Sequence, residues 1–184
     1  MNEKSTYKSY IAPALVLVVI CLVVTAALAG TYSITNPIIE ANTKAAADEA
    51  RAQVLPSGDS FTQYDGKLVE GVTECYIADN KTGMAVTATS SSYGGLITVM
   101  IGIDQDGKVT GVTVTEHADT PGLGTKAMTE EYLAGYKGKD ALEEDNIKSD
   151  SGVDYIAGAT ISSNAIYQTV KEALQQFQEC GGVK

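Results

Sequence analysis

Residues 154–160, with the sequence Asp-Tyr-Ile-Ala-Gly-Ala-Thr, have the clearest potential for chemistry in this chain. The threonine, Thr160, stands just before Ser162 and Ser163, where we predict that a helix begins. Three small residues precede it and allow the backbone to turn tightly beside a bulky group: Ala157, Gly158 and Ala159. Because the free N–H groups and the dipole of a helix N-terminus favour a phosphate, the threonine hydroxyl is a candidate to carry a phosphate-bearing group.

A second candidate stretch, residues 116–124, reads Glu-His-Ala-Asp-Thr-Pro-Gly-Leu-Gly. Two glycines flank one leucine after a proline, which predicts a rigid turn with exposed backbone amides. Such a turn can lie against a flat ring and donate N–H groups to the polar edge of the ring. The alternative interpretation is a connection between a strand and a helix, in which proline and glycine serve the backbone geometry alone.

The only histidine of the chain, His117, lies in this second stretch. No second histidine and no cysteine pair stands near it in the sequence, so metal binding is not expected. We expect a structural role or a hydrogen bond to the edge of a bound ring. The sequence contains no pattern that predicts a catalytic residue.

Four blocks of sequence occur in an order that resembles one known family. They are residues 92–97 (Ser-Tyr-Gly-Gly-Leu-Ile), an Asp-Gly hairpin turn at 104–107, and the stretches 116–124 and 154–160. The last block resembles the D-x-x-(S/T)-G-A-T signature of proteins that carry flavin mononucleotide (FMN) covalently on a threonine. The order resembles the FMN-binding G subunit of the Rnf electron-transport complex, and the related C subunit of the sodium-pumping NADH:quinone reductase is similar. The compact length is closer to the Rnf protein.

The resemblance implies a covalent cofactor and a maturation partner. A flavin transferase would move FMN from FAD onto the oxygen of Thr160, and Asp154 would belong to the motif which that enzyme recognises. Gly122, Leu123 and Gly124 are expected to pack against the isoalloxazine ring. The other residues of these blocks expected to bind the cofactor are Ala157, Gly158, Ala159, Ser162, Ser163, His117, Asp119, Thr120, Tyr93 and Gly94.

Two residues depart from the family pattern. Ala157 stands where a serine or threonine commonly precedes Gly-Ala-Thr, and Asp119 stands where the proline-glycine block usually has a glutamate. The first change keeps a small side chain and the second keeps the negative charge, so neither removes the attachment hydroxyl. The function implied is an electron-transfer subunit of an ion-translocating oxidoreductase, which relays electrons between redox centres of partner subunits and has no complete active site of its own.

An apolar segment near the N-terminus predicts a membrane anchor for this domain. Residues 9–39 contain no charged side chain, and residues 11–29 are almost wholly apolar. A helix of about 20 residues crosses the roughly 30 Å hydrocarbon layer, so we predict a transmembrane helix at 10–30. Ala27-Leu28-Ala29 resembles the cleavage site of a signal peptide, but the apolar run exceeds the roughly 7–15 residues of such a peptide.

The distribution of charge predicts the orientation. Lys4 and Lys8 precede the apolar segment, whereas the remainder of the chain is acidic, with 23 acidic and 13 basic residues in total. Because basic residues collect on the cytoplasmic side, we expect residues 1–9 in the cytoplasm and the domain outside it, on the cell (inner) membrane. The acidity of the domain excludes nucleic acid as a partner. Only the apolar segment is expected to contact membrane lipid.

The remaining sequence predicts an α+β domain, an antiparallel sheet covered by helices, at residues 56–184. Alternating apolar residues predict strands at 74–78, 84–89, 96–103 and 108–115. We predict helices at 128–136 and 163–180, with a polar, mobile segment at 137–152. Residues 31–55 form a linker in which Pro37 interrupts the chain before a juxtamembrane helix at 38–54. A disulfide between Cys75 and Cys180 is possible in an oxidising compartment, but their spacing does not decide it.

Three functions stay open at the level of sequence. The first is the flavin-carrying subunit described above, in an Rnf complex or in the sodium-pumping quinone reductase. The second is a cofactor-free scaffold or binding domain on a membrane anchor, in which Thr160 caps a helix through its hydroxyl. The third is a stand-alone extracellular electron-transfer flavoprotein.

Overall fold

A computed structural model describes residues 11–183, which comprise one long helix and a globular α+β unit. The helix α1, Ala12–Val54, is long and apolar enough to cross a membrane, with a mean hydropathy of 2.8 in its most apolar window. Its large apolar side chains between Leu15 and Leu28 are exposed on all sides. Such a surface is suited to lipid. The predicted cytoplasmic residues 1–9 lie outside the described residues.

The predicted interruption at Pro37 is wrong, because α1 continues through this proline to Val54. A proline in a helix removes only one backbone N–H donor, and the neighbouring turns keep theirs. The hydroxyls of Thr31, Ser33 and Thr35 also donate to the carbonyl oxygens four residues earlier, at 2.9–3.0 Å. The helical turns before the proline are therefore intact.

The end of α1 belongs to the globular unit, which begins at Ala47. Arg51 is buried, its guanidinium lies 3.7 Å from the ring centroid of Tyr76, and it pairs with Asp48 at 2.6 Å. The carbonyl oxygen of Val54 accepts a hydrogen bond from the hydroxyl of Thr110. These contacts fix the last turn of α1 against the sheet.

The sheet has five antiparallel strands in the order of the sequence. They are β1 (Phe61–Gln63), β2 (Val72–Ala78), β3 (Gly83–Ser91), β4 (Leu96–Asp104) and β5 (Val109–Glu116). The four predicted strands correspond to β2–β5. Strand β1 is not predicted, because three residues with two exposed polar side chains give no periodic signal. In the centre of the sheet Val86 pairs with Ile101, and Ile101 pairs with Val112.

Helices cover one face of this sheet, as predicted. The longest, α3 (Thr160–Glu179), buries Ile166, Val170 and Leu174 against the strands. The predicted helix at 128–136 is divided into a 3₁₀ turn (Gly124–Met128), α2 (Glu130–Leu133) and a second 3₁₀ turn (Ala134–Tyr136). The division occurs because Thr129 is extended and its hydroxyl accepts from the N–H of Tyr132, which caps α2.

The segment 137–152, which its polar composition predicts to be mobile, is tied to α3. Ile147 is buried in the core, and the hydroxyl of Tyr167 donates to Asp150 at 2.8 Å. Gln168 donates to the carbonyl oxygen of Asp145 at 2.7 Å. An occasional apolar residue and bonds from side chains of α3 thus order a segment whose own composition is polar.

The two cysteines of the globular unit are free thiols in this structure. Cys75 lies on β2 in the core, and burial raises the pKa of its thiol to about 12. Cys180 follows α3, is half-buried, and its sulfur accepts a hydrogen bond from Gln176.

Candidate functional site

A cavity of about 430 Å³ opens where the N-terminus of α3 meets the loops after β3 and β5. Its volume is in the range of small-molecule sites, roughly 300–1,000 Å³. The lining residues are Tyr93, Asp119, Thr120, Leu123, Gly124, Gly158, Ala159, Thr160, Ile161 and Ser162. All except Ile161 are among the residues that the sequence analysis selected, so three separate blocks of sequence meet at one cavity.

Thr160 is the first residue of α3, three positions before the predicted start. The residue at the N-cap position is Ala159, and no side chain in the described part of the chain caps the helix. The first intrahelical bond runs from the N–H of Ser163 to the carbonyl oxygen of Ala159, so the amides of Thr160, Ile161 and Ser162 have no partner within the helix. Within residues 11–183 the hydroxyl of Thr160 makes no hydrogen bond either. A free hydroxyl and free amides thus meet beside the cavity.

A tight turn before the helix holds Thr160 at this place. Gly158 has a φ of +86°, a conformation that side chains with a Cβ rarely adopt, and the N–H of Ala159 donates to Ile156 at 2.9 Å. Ser163 is fully buried, and its hydroxyl accepts from the N–H of Ile156 at 3.2 Å. Ser163 therefore supports the turn from behind and does not line the cavity.

Asp119 joins the three walls of the cavity. It is 4% exposed, and its carboxylate accepts from the hydroxyl of Ser92 at 2.5 Å and from the N–H of Gly94 at 2.6 Å. The hydroxyl of Ser162, on α3, lies beside the same carboxylate at Gly124. A Cβ on Gly124 would overlap this carboxylate and the hydroxyl of Ser162, so the close approach requires glycine. Asp119 therefore positions the loops around the cavity. This role adds to the direct contact with a cofactor that the sequence predicts.

The charge of Asp119 is stabilised by these bonds. Burial alone would raise the pKa of its carboxyl, but the hydrogen bonds from Ser162, Ser92 and Gly94 and the nearby His117 outweigh burial, and the pKa lies below its usual range. The carboxylate is therefore ionised at neutral pH. A fixed negative charge with one hydrogen bond to each oxygen holds the loops in one arrangement.

Six of the predicted residues do not line the cavity. Gly94 contributes its N–H to Asp119, and the N–H of Gly122 donates to the hydroxyl of Thr125 at 2.8 Å, so both shape the adjoining loops. The remaining four are the buried Ser163 and the exposed residues His117, Asp154 and Ala157.

Ile161, which the sequence did not identify as a site residue, is 55% exposed and lines the cavity. One signal in the sequence could have identified it. Ile161 is a large apolar residue in the first turn of α3, but it does not lie on the helix face that packs against the sheet. Tyr93 and Leu123 on the facing loops are 77% and 57% exposed. Three large exposed apolar side chains around one cavity are unusual on a soluble surface and suit a flat apolar ring.

Comparisons with known proteins agree with these features. The family model of the FMN-binding domain matches residues 92–175, and that of the RnfG N-terminal region matches residues 1–54. The chain is 31% identical to the G subunit of the proton-translocating ferredoxin:NAD(+) oxidoreductase complex of Clostridium ljungdahlii over 174 residues, 91% of each chain. It is 32% identical to the G subunit of the Na(+)-translocating ferredoxin:NAD(+) oxidoreductase complex of Acetobacterium woodii over 186 residues, 89% of each chain. A solved structure, NqrC of Shewanella oneidensis, is 20% identical, with a TM-score of 0.46 over 57% of each chain.

Proposed function

Because this chain belongs to the family of G subunits of ion-translocating oxidoreductase complexes, we propose that it carries FMN covalently on Thr160 and relays electrons between partner subunits. The observation that supports this most directly is the free hydroxyl of Thr160 at the N-terminus of α3, beside a cavity with exposed apolar walls. The FMN-binding domain and a complex with several subunits follow from the family. The covalent bond, the relay and the roles of single residues are the proposal.

The residues around the cavity fit FMN in size and chemistry. Tyr93, Leu123 and Ile161 would contact the two faces of the ring, and the turn at Thr120 would present its polar groups to the ring edge. The helix N-terminus would stabilise the negative charge of a phosphodiester by about 0.3–1 kcal/mol. That contribution is too small to retain a cofactor alone, so the covalent bond is the main attachment.

Attachment is a transfer reaction on the oxygen of Thr160. The Oγ1 atom forms an ester bond to the FMN phosphorus of FAD, the bond between the two phosphates of FAD breaks, AMP leaves, and the hydroxyl gives up its proton. A flavin transferase would catalyse this step and would recognise the exposed Asp154 together with the turn that follows it. Thr160 is accessible to such an enzyme because it is not fully buried and has no competing hydrogen bond among the described residues.

Bound FMN supplies transfer of one or two electrons. The contribution of the chain is to hold the group at a constant place and to keep it close to its partners. Residues 10–30 of the apolar segment would cross the cytoplasmic membrane with the N-terminus in the cytoplasm, contact membrane lipid, and leave the acidic domain outside. The other subunits of an Rnf-type complex would donate and accept the electrons.

The alternative of a cofactor-free scaffold assigned Thr160 the role of a helix cap. The structure contradicts that role, because Ala159 occupies the N-cap position and the Thr160 side chain caps nothing. Among residues 11–183 the Thr160 hydroxyl therefore bonds to no part of the fold. This favours attachment over the scaffold hypothesis.

The test is flavinylation of the full chain co-expressed with a flavin transferase. We expect the denatured chain to fluoresce under ultraviolet light, and its intact mass to rise by one esterified FMN on the peptide that contains Thr160. Thr160→Val should remove both signals completely. A matched control, Thr113→Val on β5, removes a threonine hydroxyl that is remote in sequence and makes no hydrogen bond within residues 11–183, and should retain both signals. A Thr160→Val chain that still fluoresces would disprove the attachment site.

A further inference from the structure

Two thiols of the globular unit meet where α3 ends. Cys75 is a buried residue of β2, in the core between the sheet and the helices. Cys180 directly follows the last residue of α3, is half-buried, and packs against the same core cluster. The two cysteines are 105 residues apart in the sequence, so the fold and not the local chain brings them together.

The sulfur of Cys180 is bonded to a side chain that also holds the segment before β2. The NH₂ group of the fully buried Gln176 donates to this sulfur at 3.1 Å and to the carbonyl oxygen of Lys67 at 3.2 Å. The side-chain oxygen of Gln176 accepts from the N–H of Val69 at 2.7 Å. The position of the Cys180 thiol is therefore fixed by bonds that reach across to the strand carrying Cys75.

Tyr64 connects the two cysteines from a second direction. Its N–H donates to the carbonyl oxygen of Cys75 at 2.8 Å. A hydrogen bond with Cys180 and the charge of Cys180 raise the pKa of the Tyr64 phenol, as do burial and the charge of Cys75. Burial and then the charge of Cys180 raise the pKa of the Cys75 thiol. Tyr64 and the two cysteines thus form one cluster in which each group acts on the others.

Oxidation of the two thiols would remove no strong hydrogen bond. Within residues 11–183 the thiol of Cys75 donates only to the thioether sulfur of Met84, at 3.9 Å, which is a weak acceptor. The sulfur of Cys180 accepts from Gln176, and a disulfide sulfur keeps its lone pairs for that bond. A disulfide is also apolar, so the core around Cys75 can contain it as readily as it contains the thiol.

We infer that Cys75 and Cys180 form a reversible disulfide that links β2 to the C-terminal end of α3 when a disulfide oxidant is present. The oxidant is a low-molecular-weight disulfide such as oxidised glutathione. The half-buried sulfur of Cys180 attacks one sulfur of the oxidant and the first thiol leaves; the sulfur of Cys75 then attacks that of Cys180 and the second thiol leaves. The two cysteines lose two electrons and two protons in total, and the oxidant takes up both. This inference does not depend on a cofactor at Thr160.

The first test is oxidation of the full chain in detergent, in a Cys21→Ser background that leaves only these two cysteines. With oxidised glutathione we expect an intact mass lower by two hydrogens, and one cross-linked pair of peptides that contain Cys75 and Cys180. Cys75→Ala should instead retain glutathione on Cys180. The matched Cys180→Ala should retain an unmodified thiol at Cys75, because that thiol is buried. Two unlinked cysteines in the Cys21→Ser chain, or glutathione on each of them, overturn the inference.

The second test distinguishes a disulfide that the fold favours from one that any chain with two cysteines would form. In glutathione buffers, we expect the equilibrium constant for the disulfide to be about 100-fold larger in the folded chain than in concentrated urea. The oxidised chain should melt about 5–10 °C above the reduced chain, since the bond restricts the unfolded state. Cys180→Ala should melt at the same temperature in both buffers. Equal equilibrium constants, or equal melting temperatures of the oxidised and reduced Cys21→Ser chain, overturn the inference.

Discussion

The two ends of α3 differ in how their polar groups are satisfied. At the C-terminal end Gln176 is fully buried, its side-chain oxygen accepts from the N–H of Val69 at 2.7 Å, and its NH₂ group donates to Lys67 and to the sulfur of Cys180. At the N-terminal end the hydroxyl of Thr160 has no partner among the described residues. The hydroxyl of Thr160 is thus left for a ligand, whereas the polar atoms of the Gln176 side chain are all bonded within the fold.

The apolar residues of α3 show the same difference. Ile166 is fully buried against the sheet, whereas Ile161, five residues earlier on the same helix, is 55% exposed beside the cavity. Folding gains little from Ile161, because burial of apolar surface is the main source of stability. Its position is explained by the cavity and not by the core. The N-terminal end of α3 therefore adds little to the stability of the core, as expected of the binding end that we propose, whereas the rest of the helix is packed against the sheet.

The largest effect should follow from truncating the buried member of this pair. Ile166→Ala should reduce the free energy of unfolding by about 3 kcal/mol, because it leaves a cavity in the core. Ile161→Ala is the matched substitution at the N-terminal end of α3, which we call the open end. It should change the free energy of unfolding by less than about 0.5 kcal/mol. Urea unfolding of the apo chain followed by circular dichroism measures both values. Equal losses would contradict the division of α3 into a binding end and a packed remainder.

The next effect concerns the C-terminal end of α3, which we call the closed end because the polar atoms of Gln176 are bonded there. Gln176→Ala should reduce the free energy of unfolding by about 2 kcal/mol, because the N–H of Val69 and the carbonyl oxygen of Lys67 lose their partner. Gln175→Ala removes the same side chain from the exposed neighbouring position and should be nearly neutral. The same unfolding measurement tests the pair. A neutral Gln176→Ala would show that the bonds at this end do not secure the helix.

Asp119 gives the open end its own stability, and we expect it to contribute about 1–2 kcal/mol through its hydrogen bonds. Since the folded pKa of Asp119 is lowered, this contribution is present above the pKa of the unfolded chain and is lost as the pH falls through the folded pKa. Asp119→Asn should therefore be less stable than wild type at pH 7 and should lose less stability in acid. Asp106→Asn, in an exposed hairpin turn, should follow the wild-type profile. Parallel profiles for Asp119→Asn and wild type would refute the assignment.

The sequence predicted what depends on local pattern and missed what depends on contacts between distant residues. Alternation of apolar residues was sufficient for β2–β5, and the small residues before Thr160 were sufficient for the turn that precedes α3. The bonds of Asp119 to Ser92 and Gly94 join residues about 25 positions apart, and no local pattern encodes them. The order of the segment 137–152 was missed for the same reason, because bonds from Asn164 and Gln168 on α3 hold it.

The smallest effect and the sharpest test concern Glu172, which lies one turn before Gln176 on α3. Unlike Gln176, it has a buried polar atom without a partner in the described part of the chain. One of its carboxylate oxygens is buried without a partner among the described residues, against the loop at Gly71. Burial, together with the charge of Glu70, raises its pKa to about 7. A raised folded pKa means that stability is fully present below the unfolded pKa, near 4.5, and declines as the pH rises through about 7.

We therefore expect wild type to lose about 1 kcal/mol of unfolding free energy between pH 5 and pH 8 through Glu172, an amount reduced by solvent because the side chain is partly exposed. Glu172→Gln should remove this decline, and Glu179→Gln, on an exposed part of the same helix, should preserve it. Unfolding titrations at several pH values distinguish the two variants. If Glu172→Gln declines as wild type does, the carboxylate has a partner in solution, and the closed end of α3 then satisfies all its polar groups, which makes Thr160 the more exceptional.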